Sequence, residues 1–155
     1  METNRFSFLS KHFPAYEIKF SRERNRDLAE IINPFYDENI RVEYIPEDDF
    51  TPYVVSFAFQ HCHMCDEEDI VEYMNDIIEG NVFSIEFFNK GIRRFGGDIE
   101  ASELADLSYE TLAEHWGKLL DYADSFKLRG WLSNNNFDAA LIIDKNGFPI
   151  ITRLD

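Results

Sequence analysis

At 155 residues, 45% of them hydrophobic and 15% aromatic, the chain is long and apolar enough to bury its own core, which excludes an acidic disordered tail. Its net charge of −15 argues against direct nucleic-acid binding, because phosphate affinity depends on cationic side chains displacing counterions. Only two cysteines are present, three positions apart, and no run reaches the ~18 apolar residues of a membrane span, so a disulfide framework and a membrane helix are both excluded.

The N-terminus is followed by no apolar run of signal-peptide length, so the expected location is cytoplasmic. No internal repeat or Gly/Ser linker divides the chain, and a single domain over residues 1–155 is expected. In chain order, residues 16–20 read as a short strand. Residues 21–33 read as a helix with Leu28, Ile31 and Ile32 on one face, stopped by Pro34. On that helix Arg22, Arg24 and Arg26 fan across the exposed side. Residues 39–45 and 53–60 read as strands flanking the acidic turn Glu47-Asp48-Asp49.

Residues 66–79 give the clearest helix. Ile70, Val71, Met74, Ile77 and Ile78 share one face, Asp66 is a natural N-cap, and Gly80 terminates it. Residues 82–88 and 92–99 form a hairpin around Asn89-Lys90-Gly91, with Gly96-Gly97 suggesting a bulge. Residues 108–123 are amphipathic, with Ser108 as N-cap and Leu107 stapled to Leu112. Strands at 126–132, 137–143 and 148–153 close the chain, the last two joined by the hairpin signal Asn146-Gly147. Short connections imply an α+β fold: a mostly antiparallel sheet of about six to eight strands with two or three amphipathic helices packed on it.

Two features bear on function. The first is the pentapeptide His61-Cys62-His63-Met64-Cys65, placed between a strand and a helix. Cys62 and Cys65 in a Cys-x-x-Cys pair are one basis for thiol chemistry, but the four following carboxylates, Asp66 to Asp69, oppose thiolate formation. His61 and His63 on one side of a continuing strand can chelate a metal, with His12, His115 or an acid as further ligands. The structural alternative is that Cys65 precedes the N-cap and packs on Ile70, with the histidines as ordinary strand-end residues. No nucleophile is paired with a base, so no catalytic residue is assigned and no cofactor is implied.

The second feature is the charge distribution. Residues 1–41 balance seven acids against seven bases, whereas residues 42–89 hold twelve acids and no Lys or Arg. Lys90, Arg93 and Arg94 follow; residues 95–126 then hold eight acids and one base. Three acidic groups mark the candidate partner-binding residues. They are Glu47, Asp48 and Asp49; the helix start with Glu67 and Glu68; and Asp98, Glu100, Glu103 and Asp106. A charge of −15 exceeds the magnitude of roughly 2–8 that solubility requires of a small domain, and self-repulsion makes the excess costly. Steering a basic protein partner would offset that cost.

In size, acidity, aromatic content and lack of a catalytic motif, the chain resembles the small acidic immunity proteins that neutralise bacterial toxin domains. The resemblance implies a cytoplasmic, non-enzymatic inhibitor of a cationic toxin. The alternatives are a small metal- or thiol-dependent enzyme centred on residues 61–65 and an acidic nucleic-acid mimic.

Overall fold

The computed structural model describes residues 5–154. They are α+β, with ten strands in two antiparallel five-stranded sheets and four α-helices. The chain divides into two compact units, one ending at Glu79 and the other starting at Gly80.

The first unit opens with α1 (Ser7–His12). Five strands follow as an uninterrupted meander: β1 (Ile18–Glu23), β2 (Arg26–Ile31), β3 (Ile40–Tyr44), β4 (Tyr53–Phe57) and β5 (Gln60–Met64). Helix α2 (Glu67–Ile78) ends the unit. Its core joins Phe6 and Leu9 from the N-terminal segment, Ala29, Ile31, Ile40, Val42, Val55 and Phe57 from the sheet, and Ile70, Met74 and Ile77 from α2. The helical period of α2 is the one the sequence implies. Asp66 caps it by accepting from the Asp69 N–H at 2.9 Å, and Gly80 follows with φ of +78°.

Residues 21–33 are not a helix. They form most of the β1–β2 hairpin, with Glu23 opposite Arg26 and a turn at Arg24-Asn25, where φ is +50° and +64°. Asparagine tolerates that left-handed conformation, and two such residues in succession suit the tight turn between twisted strands. The arginines therefore do not fan across a helix. Arg26 pairs with Glu43 at 3.2 Å, joining the neighbouring strands β2 and β3, and Arg41 on β3 reaches Glu23 on β1 at 3.2 Å, across β2. The strand expected over residues 53–60 ends at Phe57, because Ala58 turns the chain with φ of +51° and Gln60 comes to lie opposite Phe57.

The second unit has strands β6 (Val82–Asn89), β7 (Ile92–Glu100), β8 (Ser125–Arg129), β9 (Phe137–Ile143) and β10 (Pro149–Leu154), in the order β10-β9-β8-β6-β7. Between β7 and β8 lie α3 (Ala101–Ala105), α4 (Tyr109–Trp116) and a 3-10 turn (Gly117–Tyr122), so the helix expected over residues 108–123 breaks at Gly117, whose φ is +59°. Its N-terminus is as read, with Ser108 and Thr111 capping each other. Phe87 is fully buried and meets Phe95, Trp116 and Phe126 with ring centres 4.6, 4.9 and 5.7 Å away. The irregularity in the β6–β7 ladder falls at Arg94, since Phe87 faces Phe95 and Phe88 faces Arg93; Gly96 and Gly97 keep regular pairing. Gly97 instead lies beneath the Trp116 indole, whose Cζ2 would be 3.6 Å from an added Cβ.

Candidate functional site

Burying Ile70, Met74 and Ile77 turns the opposite face of α2 outward. Asp66, Glu67, Glu68, Glu72, Asp76 and Glu79, with His12, Val71 and Asn75, line an open groove of about 880 Å³. Glu68, Glu72 and Asp76 recur every fourth residue, which sets successive carboxylates roughly 6 Å apart along the helix axis. Like charges at that spacing destabilise an isolated helix by about 0.2–0.5 kcal/mol per pair. The first-turn acids gain from the helix dipole, but Asp76 and Glu79 sit at its negative end, and no base lies in the last turn. Among the described residues, Glu67, Glu68, Glu72 and Asp76 make no ion pair.

The turn at 47–49 is a different kind of feature. The Asp48 carboxylate accepts from the Thr51 N–H at 2.9 Å, the Phe50 N–H at 3.1 Å and the Thr51 hydroxyl at 3.1 Å. These donors, the Thr51 backbone N–H foremost, hold Asp48 below the usual aspartate range. Glu47 lines a smaller cavity with Glu23, Glu43, Arg24, Arg26 and Arg41, three acids against three bases. Asp49 is exposed.

In the second unit Asp98, Glu100 and Glu103 share a cavity of about 440 Å³ with Val82 and His115. Glu103 and His115 also line an adjoining one of about 350 Å³ with Asp106, Glu114, Ser102 and Thr111. The four acids taken together from the sequence therefore do gather around one place. Their chemistry is partly structural. Glu100 caps α3, and Glu103 accepts from the Glu100 N–H at 2.9 Å. His115 Nδ1 is 3.1 Å from Glu103 Oε1, and its ring stacks on Trp116 with centres 3.9 Å apart. The Glu100 N–H, with help from His115 and against some burial, holds the Glu103 carboxyl below its ordinary range. This pair places an oriented imidazole beside acids, but the one hydroxyl there with a defined role, Thr111, is engaged with Ser108.

The pentapeptide 61–65 is mostly strand. His61 and His63 lie on one face of β5 and are exposed, Cys62 points to the other face and is half-buried, and Cys65 lies just beyond the strand. Cys65 is exposed, so it does not fill the core position on Ile70 that its place before the N-cap suggested. The geometry separates the imidazoles from the thiols, and among the described residues no group of three or more His, Cys, Asp or Glu is placed to hold a metal ion. No helix among the described residues is long and apolar enough to cross a membrane.

Sequence reasoning missed Glu72, Asp76, Glu79 and Glu114 as members of these surfaces. The signal was present in the four-residue spacing of Glu68, Glu72 and Asp76, which is as regular as the apolar spacing on the other side of α2. No protein-family model, curated protein or solved structure matches the chain.

Proposed function

We propose that this chain is a non-enzymatic binding protein whose α2 groove receives a basic protein surface, most concretely the cationic domain of a bacterial toxin, which it neutralises in the manner of an immunity protein. The observation that carries the reading is the acidic stripe of α2. Glu68, Glu72 and Asp76 stand at a spacing where like charges repel, make no ion pair among the described residues, and line an open groove of about 880 Å³. Charges kept at a cost to the fold are accounted for by attraction to a partner of opposite sign, which raises the rate of encounter. The Asp98, Glu100, Glu103 and Asp106 group is a secondary contact surface in this reading, and Glu47 and Asp49 are peripheral to it.

Capture with the full chain as bait in a lysate of its native source, at low and at high salt, tests the proposal. The expected product is a strongly basic protein, released by salt, whose toxicity on expression is abolished by co-expression of this chain. Capture only of neutral or acidic proteins, or a basic partner whose activity is unaffected, would contradict it.

A further inference from the structure

Strand β5 is the edge of the first sheet, paired with β4 alone. His61 and His63 project from one face of it, opposite Ser56 and Val54, with ring centres 5.5 Å apart and planes at 74°. Beyond this mutual contact, neither ring has a hydrogen-bond or ion-pair partner among the described residues. Two imidazoles that share a tetrahedral zinc at roughly 2.0–2.1 Å hold their ring centres roughly 5 Å apart, a separation close to the one this pair has. The ring nitrogens are borderline-soft donors suited to Zn²⁺ and its first-row neighbours rather than to Ca²⁺ or Mg²⁺.

We propose that His61 and His63 form a two-imidazole chelate for a divalent transition cation such as Zn²⁺, with water in the remaining coordination positions. With two protein ligands instead of four, the site stays open, and the fold does not depend on the ion. Cys62 takes no part because it lies on the other face of the strand, and Cys65 takes none because it lies beyond the strand end.

Calorimetric titration of the full, chelator-stripped chain with Zn²⁺ tests this, with parallel nuclear magnetic resonance of the imidazole protons. The expected result is one Zn²⁺ per chain, shifts confined to two of the four histidines, and weakening of roughly tenfold or more in His61→Ala or His63→Ala. His61→Gln and His63→Gln, which keep side-chain bulk on an exposed strand, should weaken binding as strongly. The Cys62→Ser/Cys65→Ser and His12→Ala/His115→Ala variants should bind within about twofold of the parent. Absence of saturable uptake, uptake that survives in His61→Ala/His63→Ala, or uptake that disappears with the two cysteines would overturn the proposal. The last result would return the thiols to the site.

Discussion

The two units treat their charge differently. Residues 1–79 hold 18 acids and 7 bases, and residues 80–155 hold 12 acids and 8 bases. In the second unit the acids are largely put to use within the fold. Buried Glu86 is paired with Arg93, Asp138 meets Arg129 at 2.8 Å, Glu103 meets His115, and Asp124 and Asp144 accept from backbone N–H groups at turns. In the first unit the bases serve the β1–β3 side, where Arg5, Arg22, Arg26 and Arg41 take up Asp27, Glu43 and Glu23. On α2, Glu67, Glu68, Glu72 and Asp76 have no ion pair among the described residues. Net charge alone does not distinguish these cases; what matters is whether each carboxylate has a structural task.

The sharpest contrast to this charge difference is the similarity of the cores. Phe87→Ala should cost about 3–5 kcal/mol and Met74→Ala about 2–5 kcal/mol, since both side chains are fully buried. Chemical denaturation of each variant checks this. Gly130→Ala should cost about 1–3 kcal/mol, because its Cβ would come 2.5 Å from Cε1 of buried Phe83. A Gly130→Ala protein as stable as the parent would mean that the ring moves aside freely.

Charge substitutions should then move the two units in opposite directions. Arg129→Met removes the partner of Asp138 and a donor to the Leu128 carbonyl at 2.8 Å, and should destabilise by about 1–2 kcal/mol. Glu72→Lys relieves two repulsive neighbours on α2 and should stabilise by about 0.2–0.5 kcal/mol for each, more at low salt than at high. If Glu72→Lys instead destabilises, the stripe has a structural role and the contrast fails.

The smallest effect concerns pH. The folded-state value of Glu103 lies below its unfolded value, so its stabilisation is complete above the ordinary glutamate range and is lost as pH falls through the lower folded value. The stability gap between the parent and Glu103→Gln should therefore be constant near neutrality and close in acid. A gap that widens on acidification would assign the wrong sign to that carboxylate.

Much of the fold was legible where a periodic apolar face coincided with a cap. Helix α2 and the start of α4 have both signals, and the β9–β10 hairpin has the turn signal Asn146-Gly147. In that hairpin Gly147 takes φ of +84° and Asp144 Oδ1 accepts from the Asn146 and Phe148 N–H groups. The β1–β2 hairpin was misread because Leu28, Ile31 and Ile32 fit a helical face over so short a span, and Arg24-Asn25 lacks the glycine that marks such turns. The turn at Ala58 had no local signal, since alanine rarely adopts positive φ. That single turn is what places His61 and His63 side by side on an edge strand instead of in a loop. For the candidate site, the acids at 98–106 were found from their density in sequence. Of the α2 stripe, the density of acids in sequence marks only the helix start with Glu67 and Glu68; Glu72 and Asp76 stand apart from that cluster and show only in the four-residue spacing.

The central claim is that the α2 stripe exists for a partner. It is tested most directly by the association rate of the captured cationic protein, measured across salt concentrations for the parent and for Glu68→Gln/Glu72→Gln/Asp76→Asn. Asp66 is kept as the cap. The parent's rate should fall steeply as salt shortens the range of attraction, which is about 8 Å at physiological ionic strength. The variant should associate more slowly at low salt, lose most of the salt dependence and fold at least as stably as the parent. A partner that associates at the same rate with both proteins, whatever the salt, would contradict the claim and leave the stripe as a solvated face.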